Sequence, residues 1–271
     1  MKKLLLLVSL IFISIYAHSQ TVWISQATGF TPVSSGVRNV SVVDSNIVWL
    51  ASYDGSGGAG NRQDFSRTLD GGNNWTAGIT PAPPSYNWSM IFGINATTAW
   101  AMFYNSVAAT GGGGIWKTTD GGMTWNQQGI GTMFTNTASF PDVVHFWTVD
   151  TGFALGDPNP SAFEIYTTVD GGTNWTLVPS VNIPTPLSGE YGIVDHYAVL
   201  GNTIWFDTNK GRVYRSTDRG LTWTVSSTGI TVPANAAIDV VFYDQAHGVA
   251  RLATTAGTGN SAVNHSGYRG A

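Results

Sequence analysis

Four times the chain writes an aspartate, a glycine two places on and a tryptophan three places after that: TLDGGNNW (68–75), TTDGGMTW (118–125), TVDGGTNW (168–175) and STDRGLTW (216–223). The aspartates Asp70, Asp120, Asp170 and Asp218 follow one another at intervals of 50, 50 and 48 residues. Self-similarity at a fixed period of this length marks a repeat architecture, in which each unit is one small motif that buries its apolar face against its neighbours.

The segments around the boxes show what one unit is. Upstream lies an apolar stretch broken by a short polar turn: VSVVDSNIVWLAS, MIFGINATTAWAMF, VVHFWTVDTGFALG and YAVLGNTIWFDT. Such flanks around Asp-Ser-Asn, Asn-Ala-Thr, Asp-Thr-Gly or Gly-Asn-Thr predict two strands joined by a tight turn. A third strand runs into the box, as in GGIWKTT, FEIYTT and GRVYRST, and a fourth leaves it, as in WTLVPS. The unit is therefore four short antiparallel strands per 50 residues or so. At the end of its strand the box aspartate can accept hydrogen bonds from the backbone N–H groups of the turn. Gly72, Gly122, Gly172 and Gly220 permit positive φ there. Trp75, Trp125, Trp175 and Trp223 open the next strand and are expected to fold over their own hairpins. Repetition at equivalent positions is what a fold requires, so these residues read as structural and not as an active site.

All four boxes resemble the Asp-box, or BNR, repeat, Ser/Thr-x-Asp-x-Gly-x-x-Trp. The resemblance implies an all-β chain, a β-propeller of four-stranded antiparallel blades with each box joining the third and fourth strands on the outer part of its blade. It extends over nearly the whole mature chain. The chain is similar to sialidase-like propellers that resemble the photosystem II stability and assembly factors, common among secreted proteins of Bacteroidetes-type bacteria.

Both ends carry further expectations. Lys2 and Lys3, the apolar run 4–16 and Ala17-His18-Ser19 read as a signal peptide over residues 1–19, too short to span a bilayer, and predict export to the periplasm, cell surface or medium. Residues 20–271 are then the propeller, with four complete repeats and a partial fifth. WISQATGFT (23–31) aligns with the strands that leave the boxes, Trp23 preceding Trp75 by 52 residues, and is expected to be a fourth strand that completes the last blade. IDVVFYDQAHGVARL (238–252) reads as the first two strands of a fifth unit, yet no box follows it. A truncated or shifted C-terminus and a longer parent are expected, since propellers have typically 4 to 8 blades.

Composition narrows the function. The chain has no cysteine, so an exported form must be held by its core, for which 11 Trp, 12 Phe and 10 Tyr supply large apolar surfaces. Without Lys2 and Lys3, 10 basic side chains face 16 acidic ones, and no basic face for nucleic acid is in view. No later stretch is long and apolar enough for a membrane span. His145, His196, His247 and His265 lack metal-ligand spacing, so no metal and no cofactor are expected. DGSGGAGN and TGGGGIW lack the Lys-Ser/Thr of a phosphate cradle, and no Ser-centred nucleophile elbow occurs.

The family resemblance also says what a hydrolase would need. Sialidases use three arginines, a tyrosine with a glutamate partner, an aspartate and an Arg-Ile-Pro motif, and Arg-Ile-Pro is absent here. Other glycosidases need two positioned carboxylates. Outside the boxes the acids of interest are Asp157 in LGDPNP, Glu164 in FEIYTT and Glu190 in the insertion SVNIPTPLSGEYGIVDHY (180–197), beside Tyr191, Asp195, His196 and Tyr197. Departures from a repeat are where a propeller is free to specialise. Glu190, Tyr191 and His196 are therefore expected to line or border the main concave surface as binding residues, with Glu164 and Asp157 nearby, and no residue is assigned to catalysis. The expected function is an exported, non-catalytic binding or scaffold module for a protein or glycan. The alternative is a secreted glycoside hydrolase. An assembly factor for a membrane complex is a third class, but the arginine patch of such factors is missing.

Overall fold

The computed structural model describes residues 24–58, 60–107, 109–234, 236–254 and 263–267. The signal-peptide reading and Trp23 lie outside these residues. Blade 1 comprises β1 (Ser35–Val42), β2 (Val48–Asp54), β3 (Asp64–Thr68) and β4 (Trp75–Ile79), and blade 2 β5 (Tyr86–Gly93), β6 (Ala99–Asn105), β7 (Gly113–Thr118) and β8 (Asn126–Gln128). Blade 3 comprises β9 (Pro141–Phe146), β10 (Gly152–Pro158), β11 (Phe163–Thr168) and β12 (Thr176–Leu177), and blade 4 β13 (Gly192–Leu200), β14 (Thr203–Thr208), β15 (Arg212–Ser216) and β16 (Thr224–Ser227). A three-stranded sheet follows, of β17 (Ala236–Phe242), β18 (His247–Thr254) and β19 (Val263–Gly267). Every pairing is antiparallel, and the strands of each sheet lie in chain order.

First strands of successive sheets touch one another, β1 with β5, β5 with β9, β9 with β13 and β13 with β17, so they form the inner layer and the fourth strands the rim. Second strands carry their large side chains into the seams between blades: Trp49, Trp100, Phe153, Phe206 and Trp205 are at most 1 % exposed. That is why these segments read as near-continuous apolar runs and not as an in–out alternation. Rim strands are short and exposed, two residues in β12 and three in β8, which leaves little open edge for another chain to pair with.

Each box closes on itself in the same way. The Thr68 hydroxyl donates to Asp70 Oδ1 at 2.9 Å and accepts the Gly72 N–H at 2.9 Å, while Asp70 also accepts the Asn74 N–H and side-chain amide. The set recurs with Thr118, Asp120, Gly122 and Thr124, with Thr168, Asp170, Gly172 and Asn174, and with Ser216, Asp218, Gly220 and Thr222. The residue before each tryptophan is thus a working donor, which the consensus leaves blank. These hydrogen bonds, that of the Thr124 side chain first, hold the Asp120 carboxyl down to about 2. Asp120→Ala should lower the melting temperature by several degrees while ligand binding is retained, and thermal denaturation beside a binding assay checks both.

Two of the tryptophans also reach beyond their own hairpins. Trp125 packs on the preceding blade, its ring 5.2 Å from Phe65 and 6.4 Å from Trp49, and Trp223 of blade 4 lies 5.6 Å from Phe153 of blade 3. Trp223 also keeps to its own blade, its Nε1 donating to the Gly220 carbonyl at 2.9 Å and its ring 5.1 Å from Phe206, and Trp175 lies 5.8 Å from Phe146 of its own blade. The glycines serve the same seam: a Cβ on Gly122, at φ +87°, would stand 2.2 Å from the Phe65 ring, and one on Gly220 2.7 Å from Phe153. Cations add a second link. Arg67 lies over Trp49 and donates to the Ala96 carbonyl of blade 2, and Lys117 lies over Trp100 and donates to Gly171 of blade 3 at 2.9 Å.

Residues 24–30 carry no strand, which differs from the fourth strand expected there. They nonetheless lie against the first box. Gln26 donates to the Gly71 carbonyl as Gln128 at the end of β8 donates to Gly171 of the third box.

Candidate functional site

Irregularities in the inner strands locate the site. In β1, β5 and β9 the pairing with the second strand skips one residue, Arg38, Ser89 and Asp142 in turn, and in β13 the skip widens to residues 193–196. Bulges of this kind re-aim side chains and gather next to functional sites. Arg38, Ser89, Asp142 and Asp195 are spaced 51, 53 and 53 residues apart, so the repeat places one polar side chain per blade at the same inner level. Two are tied off: the Ser89 hydroxyl donates to the Pro141 carbonyl, and Asp195, at φ +63°, accepts from the Asn39 amide of blade 1 at 2.6 Å.

Asp142 is different. It is 1 % exposed, and neither carboxyl oxygen receives a donor from the described residues. Its polar neighbour is the carboxyl of Asp157 at the end of β10, which faces it across the pocket floor beside Gly192. Asp157 in turn accepts the Gly192 N–H at 2.8 Å. Gly192 makes the approach possible, since a Cβ there would meet Asp142 Oδ2 at 2.7 Å. Burial, then the facing Asp157 charge, pushes Asp142 well above the usual carboxylate range, and burial likewise raises Asp157, to about 7. The pair floors a pocket of about 420 Å³ walled by Phe140, Tyr191, Gly192, Ile193 and Val194. Phe140 is braced by stacking on Tyr104 at 4.5 Å, and Tyr191 stands at the mouth, 47 % exposed.

The pocket lies at the end of the sheets opposite the boxes. It is built from the start of β9, the end of β10 and the loop entering β13, whereas each box follows the end of a third strand and hydrogen-bonds the turn between first and second strands, as Gly171 N–H does to the Asp150 carbonyl. Fold-keeping residues and pocket residues occupy different faces.

Of the residues singled out in the sequence, Asp157 and Tyr191 meet in this pocket. Glu190 does not line it. Its side chain is fully buried beside the loop, ion-paired with Arg212 and accepting from the Thr208 hydroxyl at 2.7 Å and the Leu187 N–H at 2.7 Å. Glu164 is buried between the Ser139 hydroxyl at 2.6 Å and the Tyr166 hydroxyl at 2.7 Å. His196 joins blade 4 to the next sheet, its Nδ1 2.9 Å from the Ile238 carbonyl and 3.3 Å from Asp207, whose carboxyl burial raises to about 6. Asp142 and Phe140 were not singled out. The available signal was a lone acid in the apolar strand segment FPDVVHFW, in register with Arg38, Ser89 and Asp195. Among the described residues no group of three His, Cys, Asp or Glu is placed to hold a metal ion, and no helix is long and apolar enough to cross a membrane.

Radial four-stranded sheets with an inner ring of first strands, joined blade to blade through equivalent turns, decide the architecture. The fold is a β-propeller. No family model and no curated protein matches the chain. Among solved structures the propeller is similar to YCF48 from Cyanidioschyzon merolae, at 17 % identity and a TM-score of 0.44, over 88 % of this chain and 84 % of that one. It is also similar to the GH74 xyloglucanase from Xanthomonas campestris, at 14 % identity and a TM-score of 0.48, over 84 % of this chain and 35 % of that one. A third is the GH93 alpha-L-arabinofuranosidase of Fusarium graminearum in complex with arabinobiose, at 13 % identity and a TM-score of 0.45, over 86 % and 75 %.

Proposed function

We propose that the protein is an exported, non-catalytic BNR-repeat propeller that acts as a binding module for a protein or glycan, and that its ligand enters the pocket between blades 3 and 4. Export rests on Lys2, Lys3 and the apolar run that follows them. The observation that carries the binding reading is the pocket floor: two facing carboxyls, one with no donor, under apolar and aromatic walls. A pocket of this size with few polar groups suits the capture of one side chain or one sugar unit.

A glycoside hydrolase is the second reading, favoured by one observation. Burial pushes the Asp157 carboxyl up to about 7, into the range of a general acid. Against it stands the closeness of the two carboxyls beside Gly192, because glycosidase carboxyls are held about 5–5.5 Å apart in retaining enzymes and about 6.5–9.5 Å apart in inverting ones, leaving room for the sugar or a water. Arrays of peptides and glycans, read beside release of reducing ends from plant and algal polysaccharides, separate the two. Binding that is lost in Tyr191→Ala and kept in Glu190→Gln, with no new reducing ends, is the expected result. Catalytic release of reducing ends that disappears in Asp142→Asn would replace this reading with the second.

A further inference from the structure

The inference concerns what the acid pair recognises, and it rests on the binding reading above. Side chains at the pocket floor are acidic without a compensating cation: Asp142 lacks a donor, and Asp157 receives only the Gly192 N–H from β13. Cations that could have answered them are committed elsewhere. Arg67, Lys117 and Arg219 lie over Trp49, Trp100 and Trp147 on the side of the boxes, and Arg212 is held by Glu190. Asp195, the next acid along β13, is engaged by Asn39 and by the charge of Arg38, whose guanidinium lies over Tyr104. Among the described residues neither acid of the floor makes an ion pair.

We infer that the pocket receives the guanidinium of an arginine on a protein partner, which donates to Asp142 and Asp157 at the floor while its stem and plane lie against Phe140 and Tyr191. The geometry favours this ligand over others on three grounds. A guanidinium is planar and offers several N–H donors, so it can satisfy both Asp142 oxygens and reach Asp157 at once. It is weakly hydrated and stacks on aromatic faces, whereas a lysine ammonium is a compact, strongly hydrated charge that gives up more on entering an apolar-walled site. A neutral sugar could hydrogen-bond the floor but would leave the buried charge uncompensated once a proton leaves. On binding, a proton that burial holds on the pair departs to solvent, and one cation replaces it.

Calorimetry at pH 7 with N-acetyl-arginine amide, its lysine counterpart and its neutral citrulline isostere tests this on the full chain. The arginine probe should bind about tenfold or more tightly than citrulline and more tightly than lysine. Repeating the titration in buffers of different ionisation heat should show proton release with arginine. Asp142→Asn should abolish the preference, with its cooperative melting transition serving as the folding check, and Asp157→Asn should do the same should the first variant misfold. Equal binding of arginine and citrulline, or an arginine preference that survives both substitutions, overturns the inference. Glycan binding that depends on Tyr191 with no response to arginine also overturns it, and leaves the binding-module reading standing.

Discussion

Trp125→Ala should cost about 3–5 kcal/mol of folding stability, in the range for removing a buried tryptophan, while Trp75→Ala should cost much less. Both tryptophans close a box, and the consensus makes them equals. Their surroundings do not. Trp125 is 8 % exposed and wedged against Phe65 and Trp49 of the blade before it, so truncation opens a cavity at a seam between two sheets that cannot collapse onto it. Trp75 is half-buried and faces the 24–30 segment, with the Gly29 Cα side against its backbone, in place of a preceding blade. Denaturant titration of the two variants checks the difference. Equal losses would mean that each tryptophan serves its own hairpin after all.

Asp142→Asn should make the protein more stable at pH 8, on the order of 1–3 kcal/mol, the cost of leaving a buried polar group without a partner. In the folded chain both Asp142 and Asp157 release their protons at higher pH than in the unfolded chain. The stabilisation tied to the bound proton is therefore complete below about pH 4, where the unfolded groups titrate. It is lost as the pH rises, through about 7 for Asp157 and onward for Asp142, which burial and the facing Asp157 charge hold well above the usual carboxylate range and which only the unsubstituted protein carries. An asparagine at 142 supplies an N–H to Asp157 at every pH, so the two proteins should melt alike at pH 4 and diverge toward pH 8. Groups that titrate elsewhere, such as Asp207 and the buried His145, are common to both proteins and cancel. Equal melting temperatures across the range would mean that the carboxyls are paired by something else. A stabilising change that removes a function is the pattern expected where a site is kept under electrostatic strain for the sake of its ligand.

The repeat made the blades legible because a fold built from one motif must print its turn chemistry at every copy: Asp70, Asp120, Asp170 and Asp218 announced both the period and the hydrogen bonds they make. What Trp125 and Trp223 reach in the preceding blade was not legible, since one repeat read alone contains the hairpin and not the neighbour. The same blindness applies to the pocket. Glu190 drew attention as one of two glutamates in an odd insertion, yet its partner Arg212 stands 22 residues away, on the third strand of the next sheet, and no local spacing reveals the pair. Asp142 was hidden for the opposite reason. It looked like a chance polar residue in an apolar strand, and only the one-residue skip in the β9–β10 register turns its carboxyl toward Asp157.

The seam that joins Phe65 to Trp125 and Gly122, and Phe153 to Trp223 and Gly220, gives the stack a head and a tail. At these two joints the earlier sheet offers a ring and the later one receives it with its glycine and indole, so the joint is heterologous in the sense used for open assemblies of subunits. The arrangement recurs because the ring on one side and the glycine and indole on the other are carried by the same 50-residue cassette. Duplication or loss of a cassette then disturbs one joint and leaves the rest in register. A lineage built this way can change its number of blades by copying, while the skipped residues of the inner strands drift independently toward new ligands.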